Sequence, residues 1–193
     1  MLRFGGGVGG GLVDWVGKDA NEGLPGEKRV ARPGFSAGLM IALDLSRLLS
    51  LGIEPLRLSL QPELLYATKG ADLEIDGEYR ASTNMTYLQA GILFRTEYAT
   101  AGRATPYFVL GPAFGFLRSV EFKTRFGSQD TKDDYKATDL GLVLGLGTMF
   151  EVPPYGALGL ELRGDLGLVS IDGQGDGDEI RNAALTLLLV YLY

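Results

Sequence analysis

Apolar and small or polar side chains alternate with a period of two along most of the chain. From Leu140 to Gly147, every even position is leucine and the odd positions carry glycine or valine. A period of two predicts β-strands with two different faces, because successive side chains of a strand point in opposite directions. The alternation predicts eight strands, at residues 2–13, 35–46, 56–69, 85–98, 105–119, 138–151, 157–170 and 183–193.

The predicted strands are too long for an ordinary soluble sheet. Most exceed 10 residues, whereas soluble strands average ~5–6 residues and a tilted strand crosses a bilayer in ~9–11. Long polar links (14–34, 70–84, 120–137 and 171–182) alternate with shorter ones (47–55, 99–104 and 152–156). Outer-membrane barrels have this asymmetry, with short periplasmic turns and longer extracellular loops. We therefore predict an all-β fold, an eight-stranded antiparallel up-and-down transmembrane β-barrel, formed by residues 1–193 as a single domain in the bacterial outer membrane.

The two strand faces differ in bulk, which indicates which one meets lipid. One face is mostly Leu, Phe, Ile and Tyr, and the other is mostly Gly, Ala and Ser with scattered charges. A soluble lipid-binding barrel would place the large apolar side chains inside, and it remains the alternative fold. The interior of an eight-stranded barrel is just wide enough to be filled by side chains, which accounts for small residues on the inner face.

The predicted inner face carries charges of both signs. They are Arg57, Glu63, Arg95, Glu97, Glu161, Arg163 and Asp165. An unpaired charge inside a narrow barrel would cost several kcal/mol, so we interpret these residues as a structural ion-pair network. A narrow channel for small solutes is the alternative. Catalysis is not expected, because the chain has no histidine, the usual general base at neutral pH.

Aromatic residues near the predicted strand ends suggest two girdles at the bilayer interfaces. The candidates are Trp15, Phe35, Tyr66 and Tyr87 at the outer ends, and Tyr98, Tyr107, Tyr155, Tyr191 and Tyr193 at the periplasmic ends.

Two short motifs resemble ligand sites. Gly5, Gly7 and Gly10 match G-x-G-x-x-G, but the chain around them leaves no room for the strand before and the helix after that a nucleotide site needs, so no nucleotide partner is expected. The acidic turn in 171–182 offers Asp172, Asp176 and Asp178 as a weak calcium candidate. The bidentate acid of an EF-hand would fall on Ala183, which breaks the motif.

The amino-acid composition limits the classes of partner and cofactor that the chain could bind. The net charge of −6 argues against a nucleic-acid partner, and the lack of cysteine excludes thiolate metal sites. No metal or other cofactor is expected. The expected partners are outer-membrane lipid or lipopolysaccharide and other envelope proteins, which would bind the long loops.

Three stretches go beyond architecture: LQPELLYATKGA (60–71), TPYFVLGPAFGFLRS (105–119) and DLGLVLGLGTMFEV (139–152). They resemble, in order, the corresponding strands of the PorT-like outer-membrane β-barrel family of Bacteroidota-type bacteria. The resemblance implies an eight-stranded outer-membrane barrel, a cleaved signal peptide and no catalytic residues. It also implies, for some members, an association with protein secretion across the outer membrane.

Overall fold

A long antiparallel β-sheet makes up almost all of the structure. The computed structural model describes residues 2–18, 27–75, 78–173 and 179–193. Within these ranges the strands are β1 (Leu2–Val16), β2 (Glu27–Val30), β3 (Arg32–Asp44), β4 (Leu56–Ile75), β5 (Glu78–Tyr98), β6 (Ala104–Thr124), β7 (Gly127–Asp130), β8 (Thr138–Glu151), β9 (Ala157–Gly167) and β10 (Arg181–Leu192). A one-turn helix, α1 (Leu45–Leu48), and a 3-10 turn (Lys132–Asp134) complete the elements. No helix in the described ranges is long and apolar enough to span a bilayer.

Eight long strands close into a ring. Its order is β1, β3, β4, β5, β6, β8, β9 and β10, and β10 pairs again with β1. All neighbours in the ring are antiparallel. The short strands β2 and β7 lie outside this ring and pair with the far ends of β4 and β6. The predicted eight-stranded up-and-down barrel is therefore confirmed.

The two ends of the barrel differ. At one end, called here the short-turn end, β1 and β10 meet through reciprocal hydrogen bonds between Phe4 and Tyr193. The links 45–55, 99–103 and 152–156 lie at the same end, and α1 begins there with Asp44 accepting a hydrogen bond from the Arg47 amide. The opposite end, called the hairpin end, carries the longer connections.

Two segments predicted as loops are mostly strand. Strands β4 and β5 continue as a paired hairpin to Ile75 and Glu78. Strand β6 runs on to Thr124 and folds back through Arg125 and Phe126 into β7. The prediction of loops was wrong because frequent polar residues in 70–84 and 120–137 do not exclude strands outside the bilayer. A hairpin beyond the bilayer can be polar on both faces and still satisfy its backbone through cross-strand pairing.

The inner and outer faces of the ring are those that the alternation predicts. Leu144, Leu146, Leu160 and Leu162 are exposed on the outer face. Inside, a buried apolar cluster that includes Leu93, Val109, Val143, Leu188 and Val190 shares the lumen with polar side chains. An outer wall of leucine around a filled interior contradicts the soluble lipid-binding barrel, which would need a large apolar cavity.

Glycines of β1 allow the ring to close tightly. A Cβ atom added to Gly5, Gly9 or Gly11 would collide with the backbone carbonyls of Tyr191, Leu187 or Leu185 on β10, respectively. The G-x-G-x-x-G match therefore lies inside a strand that is paired on both sides, and it is not the strand-to-helix turn that binds a nucleotide.

Candidate functional site

Ion pairs cross the lumen near its middle. Arg163 of β9 donates from Nη1 and Nη2 to the two carboxylate oxygens of Glu63 on β4, at 2.7 and 3.2 Å. Its Nε donates to Oε1 of Glu161 at 2.6 Å. Strands β4 and β9 are four places apart in a ring of eight, so this contact spans the full diameter of the barrel. All three side chains are buried.

A second arginine extends this set of contacts through hydrogen bonds and one cation–π contact, although its Nη2 has no hydrogen-bond partner among the described residues. Arg95 of β5 donates to Glu97 at 2.8 Å and to the side-chain oxygen of Gln61 at 3.3 Å, and its guanidinium lies 3.5 Å from the centroid of the Tyr107 ring. The Tyr107 hydroxyl donates to Glu161 at 2.9 Å, and Gln61 donates to Glu63 at 3.1 Å. We call this set of contacts the lumen network; its members are Gln61, Glu63, Arg95, Glu97, Tyr107, Glu161 and Arg163, with Arg3 joined to Glu97 at 2.7 Å. Its three arginines balance its three glutamates.

A separate polar cluster lies closer to the hairpin end. Lys69 Nζ lies 3.3 Å from Asp165 Oδ2 and 3.4 Å from Asp139 Oδ2. Gln89 donates to Asp165 at 2.6 Å and Asn182 donates to Asp139 at 2.9 Å. We call these five residues the Lys69 cluster. It joins β4 to β8 and β9 and so crosses the lumen a second time.

The Lys69 cluster is rich in acceptors. One side-chain oxygen of each of Gln89, Asp139, Asp165 and Asn182 is buried without a hydrogen-bond donor. The space beside Lys69, Gln89 and Asp165 measures about 20 Å³, which is room for one water molecule and no larger ligand.

Apolar side chains close the lumen above the Lys69 cluster. This mouth plug consists of Met85, Tyr87, Leu117, Val120 and Ile171, with Trp15, Tyr135 and Ile180 packed against it. Ile171 follows β9; its N–H donates to the Ile180 carbonyl, and its own carbonyl accepts from the Lys136 N–H. The lumen is thus filled at three successive levels.

The predicted interior residues are not all brought together. Glu63, Arg95, Glu97, Glu161 and Arg163 lie in the lumen network, and Asp165 lies in the Lys69 cluster. Arg57 is exposed at the rim of the short-turn end, beside an open basin of about 440 Å³ that also touches Arg3 and Glu151.

Sequence reasoning missed Lys69 and Asp139. Both stand at the ends of predicted strands, 56–69 and 138–151, and neither is among the predicted interior charges. Their odd-numbered positions match Glu63 on β4 and Val143 on β8, so parity alone would have assigned them to the inner face.

The aromatic girdle needs three corrections. Phe35 and Tyr66 are exposed on the outer surface toward the hairpin end, and Tyr98, Tyr155, Tyr191 and Tyr193 are exposed at the short-turn end. Tyr87 and Tyr107 are instead buried in the lumen, and Trp15 faces the inner side of the mouth. The cause is again parity, because all three share a face with the inward residues of their strands, and nearness to a strand end does not alter that direction.

Only one of the three calcium candidates in the acidic turn lies within the described residues. Asp172 is placed by a bridge to Tyr135, while Asp176 and Asp178 lie outside the described residues. Within the described ranges, no group of three or more carboxylates is arranged to hold a metal ion.

The chain resembles solved barrels over nearly its whole length. Neisserial surface protein A matches with a TM-score of 0.52 at 11% identity, covering 100% of this chain and 97% of that one. Ail, the attachment invasion locus protein of Yersinia pestis, matches with a TM-score of 0.43 at 10% identity, covering 99% and 98%. The outer membrane protein OprG from Pseudomonas aeruginosa matches with 0.43 at 11%, covering 100% and 94%. No curated protein sequence matches the chain.

A family model described as the outer membrane protein beta-barrel domain matches residues 2–173. These residues include seven of the eight ring strands, from β1 to β9. The outer face of the barrel carries exposed leucines, which is the surface that a bilayer requires. The chain therefore belongs to the outer membrane protein beta-barrel domain family and is an integral protein of the bacterial outer membrane.

Proposed function

We propose that this protein is a closed, non-enzymatic barrel that holds an interaction surface on the outside of the outer membrane. The single observation that carries the proposal is the filled lumen. Two sets of buried ion pairs cross it, and the mouth plug closes the hairpin end. A channel for small solutes would need those charges to face a continuous path of water, and here they face each other.

The hairpin end offers the surface for interaction, because short turns of such barrels face the periplasm. The hairpin of β6 and β7 extends beyond the ring, and its tip residue Phe126 is fully exposed. Arg125 at this tip forms an exposed ion pair with Glu78 on β5, at 3.1 Å. Exposed aromatic side chains are common anchors of protein interfaces.

The partner we propose is another envelope protein, and the PorT-like resemblance favours a subunit of a protein-secretion complex. Lipid and lipopolysaccharide chains would contact the leucine wall of the barrel. No enzymatic activity is proposed, because the buried carboxylates are committed to arginine and lysine and the chain contains no histidine.

Conductance tests the closed barrel. The purified protein, inserted into a planar bilayer, should give no discrete current steps under conditions in which a general porin does. The matched pair is Glu63→Ala with Arg163→Ala, which removes the contact that spans the lumen, and Arg57→Ala, which leaves it intact. Stable single-channel steps in the wild-type protein would overturn the closed barrel.

Purification from native envelopes tests the interaction surface. A co-purifying envelope protein should be retained by the wild-type chain and lost from Phe126→Asp. Tyr155→Asp, which alters an exposed aromatic at the short-turn end, should retain it. Equal retention by both variants would place the interaction away from the hairpin.

A further inference from the structure

A cavity at the hairpin end, beside the mouth plug, has the features of a ligand site. It measures about 170 Å³ and is bordered by Trp15 of β1, Arg29 of β2, Asp72 of β4, Phe122 of β6 and Tyr135. By the measure that gives room for one water beside Lys69, this volume holds several water molecules, so it suits one compact group. We call it the mouth cavity. The lumen network and the Lys69 cluster do not border it.

Three polar atoms around the mouth cavity lack hydrogen-bond partners. Trp15 Nε1 and Arg29 Nη1 are donors with no acceptor among the described residues, and Asp72 Oδ1 is an acceptor whose ion-pair partner, Arg32 Nε, is 3.5 Å away and donates no hydrogen bond to it; all three atoms are buried. Leaving each such group unsatisfied is costly, so native structures leave few of them without a reason. Their grouping around a single cavity indicates that a bound molecule supplies the partners.

The charges limit what that molecule can be. Asp72 Oδ1 lies 3.5 Å from Arg32 Nε, so that carboxylate has a cation beside it. Arg29 has no carboxylate within ion-pair distance among the residues that the structure describes. A metal cation would be repelled by Arg29 and Arg32. A simple anion would accept from Trp15 and Arg29 but would face the Asp72 carboxylate.

Two aromatic rings add apolar walls to the mouth cavity. The Trp15 and Tyr135 rings have centroids 6.0 Å apart and are tilted by 44°. The Arg29 guanidinium lies 5.2 Å from the Trp15 ring centroid, which fixes the indole on one side. Burial raises the pKa of the Tyr135 hydroxyl above its usual value, so this wall stays uncharged at physiological pH.

We propose that the mouth cavity binds one sugar residue of a saccharide. Sugar hydroxyls both accept and donate, so a single ring can take hydrogen bonds from Trp15 and Arg29 and give one to Asp72. The C–H face of the ring would pack on the aromatic side chains. This inference goes beyond the proposed function, because it adds a saccharide site at the hairpin end that is separate from the protein interaction proposed for the tip residue Phe126.

Trp15 is the only tryptophan in the chain, which makes its fluorescence a direct probe of the site. The folded protein in lipopolysaccharide-free detergent is titrated with methyl glucoside, N-acetylglucosamine and glucuronic acid, up to about 0.1 M, a hundredfold above a millimolar Kd. At least one sugar should give a saturable change in emission. If none does, the cavity is merely hydrated and the proposal is overturned.

Charge-matched variants separate the site from general effects. Arg29→Met should weaken the saturable response at least tenfold. Lys123→Met, which removes the same charge next to Phe122 from an exposed position, should not alter it. Arg29→Lys, which keeps the charge but lacks Nη1, replaces Arg29→Met if the latter does not fold. Equal responses in all variants would overturn the assignment to this cavity.

A further arm distinguishes the source of the sugar. Core oligosaccharide released from lipopolysaccharide is compared with lactose and cellobiose, which the outer membrane does not supply. Preference for the core oligosaccharide identifies the protein's own membrane as the source, and preference for the others identifies a foreign glycan. If the protein conducts no current and no sugar changes the Trp15 emission, only the sugar site is overturned. If the wild-type protein conducts in discrete steps, the closed barrel is overturned, whatever the result of the sugar titrations.

Discussion

The contact between Glu63 and Arg163 joins two buried charges across the lumen. Both side chains are buried, and Arg163 makes two hydrogen bonds to Glu63 and a third to Glu161. Desolvating the charges is costly, so the contact adds little net stability compared with an apolar pair. Its removal from one side is different, because a buried charge then loses its partner.

Single truncations should therefore destabilise the barrel strongly. Arg163→Ala leaves Glu63 and Glu161 without their shared cation, and we expect a loss of about 3–5 kcal/mol in the free energy of unfolding. Glu63→Ala with Arg163→Ala should cost less than the sum of the two single changes. Urea unfolding in lipid vesicles, followed by Trp15 fluorescence, measures this. Arg57→Ala at the exposed rim is the control and should stay within about 0.5 kcal/mol; an equal loss there would contradict the argument.

The sequence determines which side chains of each strand point into the lumen, because odd and even positions face opposite sides of the sheet. The period of two correctly assigns Glu63, Arg95, Glu161 and Arg163 to the inner face, because each side chain's direction depends only on its own strand. Which charges meet across the lumen depends on the register between strands, and one sequence without its fold does not supply that register. The prediction of an aromatic girdle was wrong at Tyr87 and Tyr107, because nearness to a strand end does not show which face a side chain occupies.

At the scale of elements, the contact between β1 and β10 closes the ring. Gly9 pairs with Leu188, and a Cβ at Gly9 would collide with the backbone of Leu187 and Leu188. A Cβ at Gly7 would instead meet the flexible end of Met40 at 3.3 Å. The two glycines share a strand and a face, yet only one of them borders backbone that has no room to move.

Alanine substitutions should therefore separate these two positions. Gly9→Ala should destabilise the barrel by about 1–3 kcal/mol through overpacking, or slow its insertion into vesicles. Gly7→Ala should be close to neutral, because the Met40 side chain can adjust. Folding is read from the heat-dependent shift in gel migration and from urea unfolding in lipid vesicles. Equal changes in stability at both positions would contradict the difference in local geometry between Gly9 and Gly7.

The elements themselves were largely predictable, and their outer ends were not. All eight ring strands fall where alternation places them, because a bilayer imposes the same apolar face along every crossing. Beyond the bilayer that constraint ends. The extension of β4 to Ile75 and of β6 to Thr124 follows from cross-strand pairing of polar residues, which leaves no simple hydropathy pattern.

The inner and outer surfaces of the barrel contact different environments and therefore have different compositions. The inner surface uses paired charges and glycine to fill a narrow lumen, and the outer surface uses leucine to meet lipid. The closed ring leaves no unpaired strand edge, so every crossing strand satisfies its backbone within the membrane. The outer surface should therefore tolerate charge only where it leaves the hydrocarbon region.

An arginine scan of the outer surface tests that expectation. Leu162 lies within β9, pairs with Leu146 and Leu187, and is exposed. Leu162→Arg should lower the free energy of unfolding in lipid vesicles by about 2–4 kcal/mol, because the charge would lie deep in the hydrocarbon. Leu168→Arg, just beyond the end of β9 toward the hairpin end, is the matched control and should cost about 0–1 kcal/mol. In detergent micelles, which deform around a charge, the difference should shrink. A uniform, small effect at both positions in vesicles would mean that Leu162 does not face the bilayer interior.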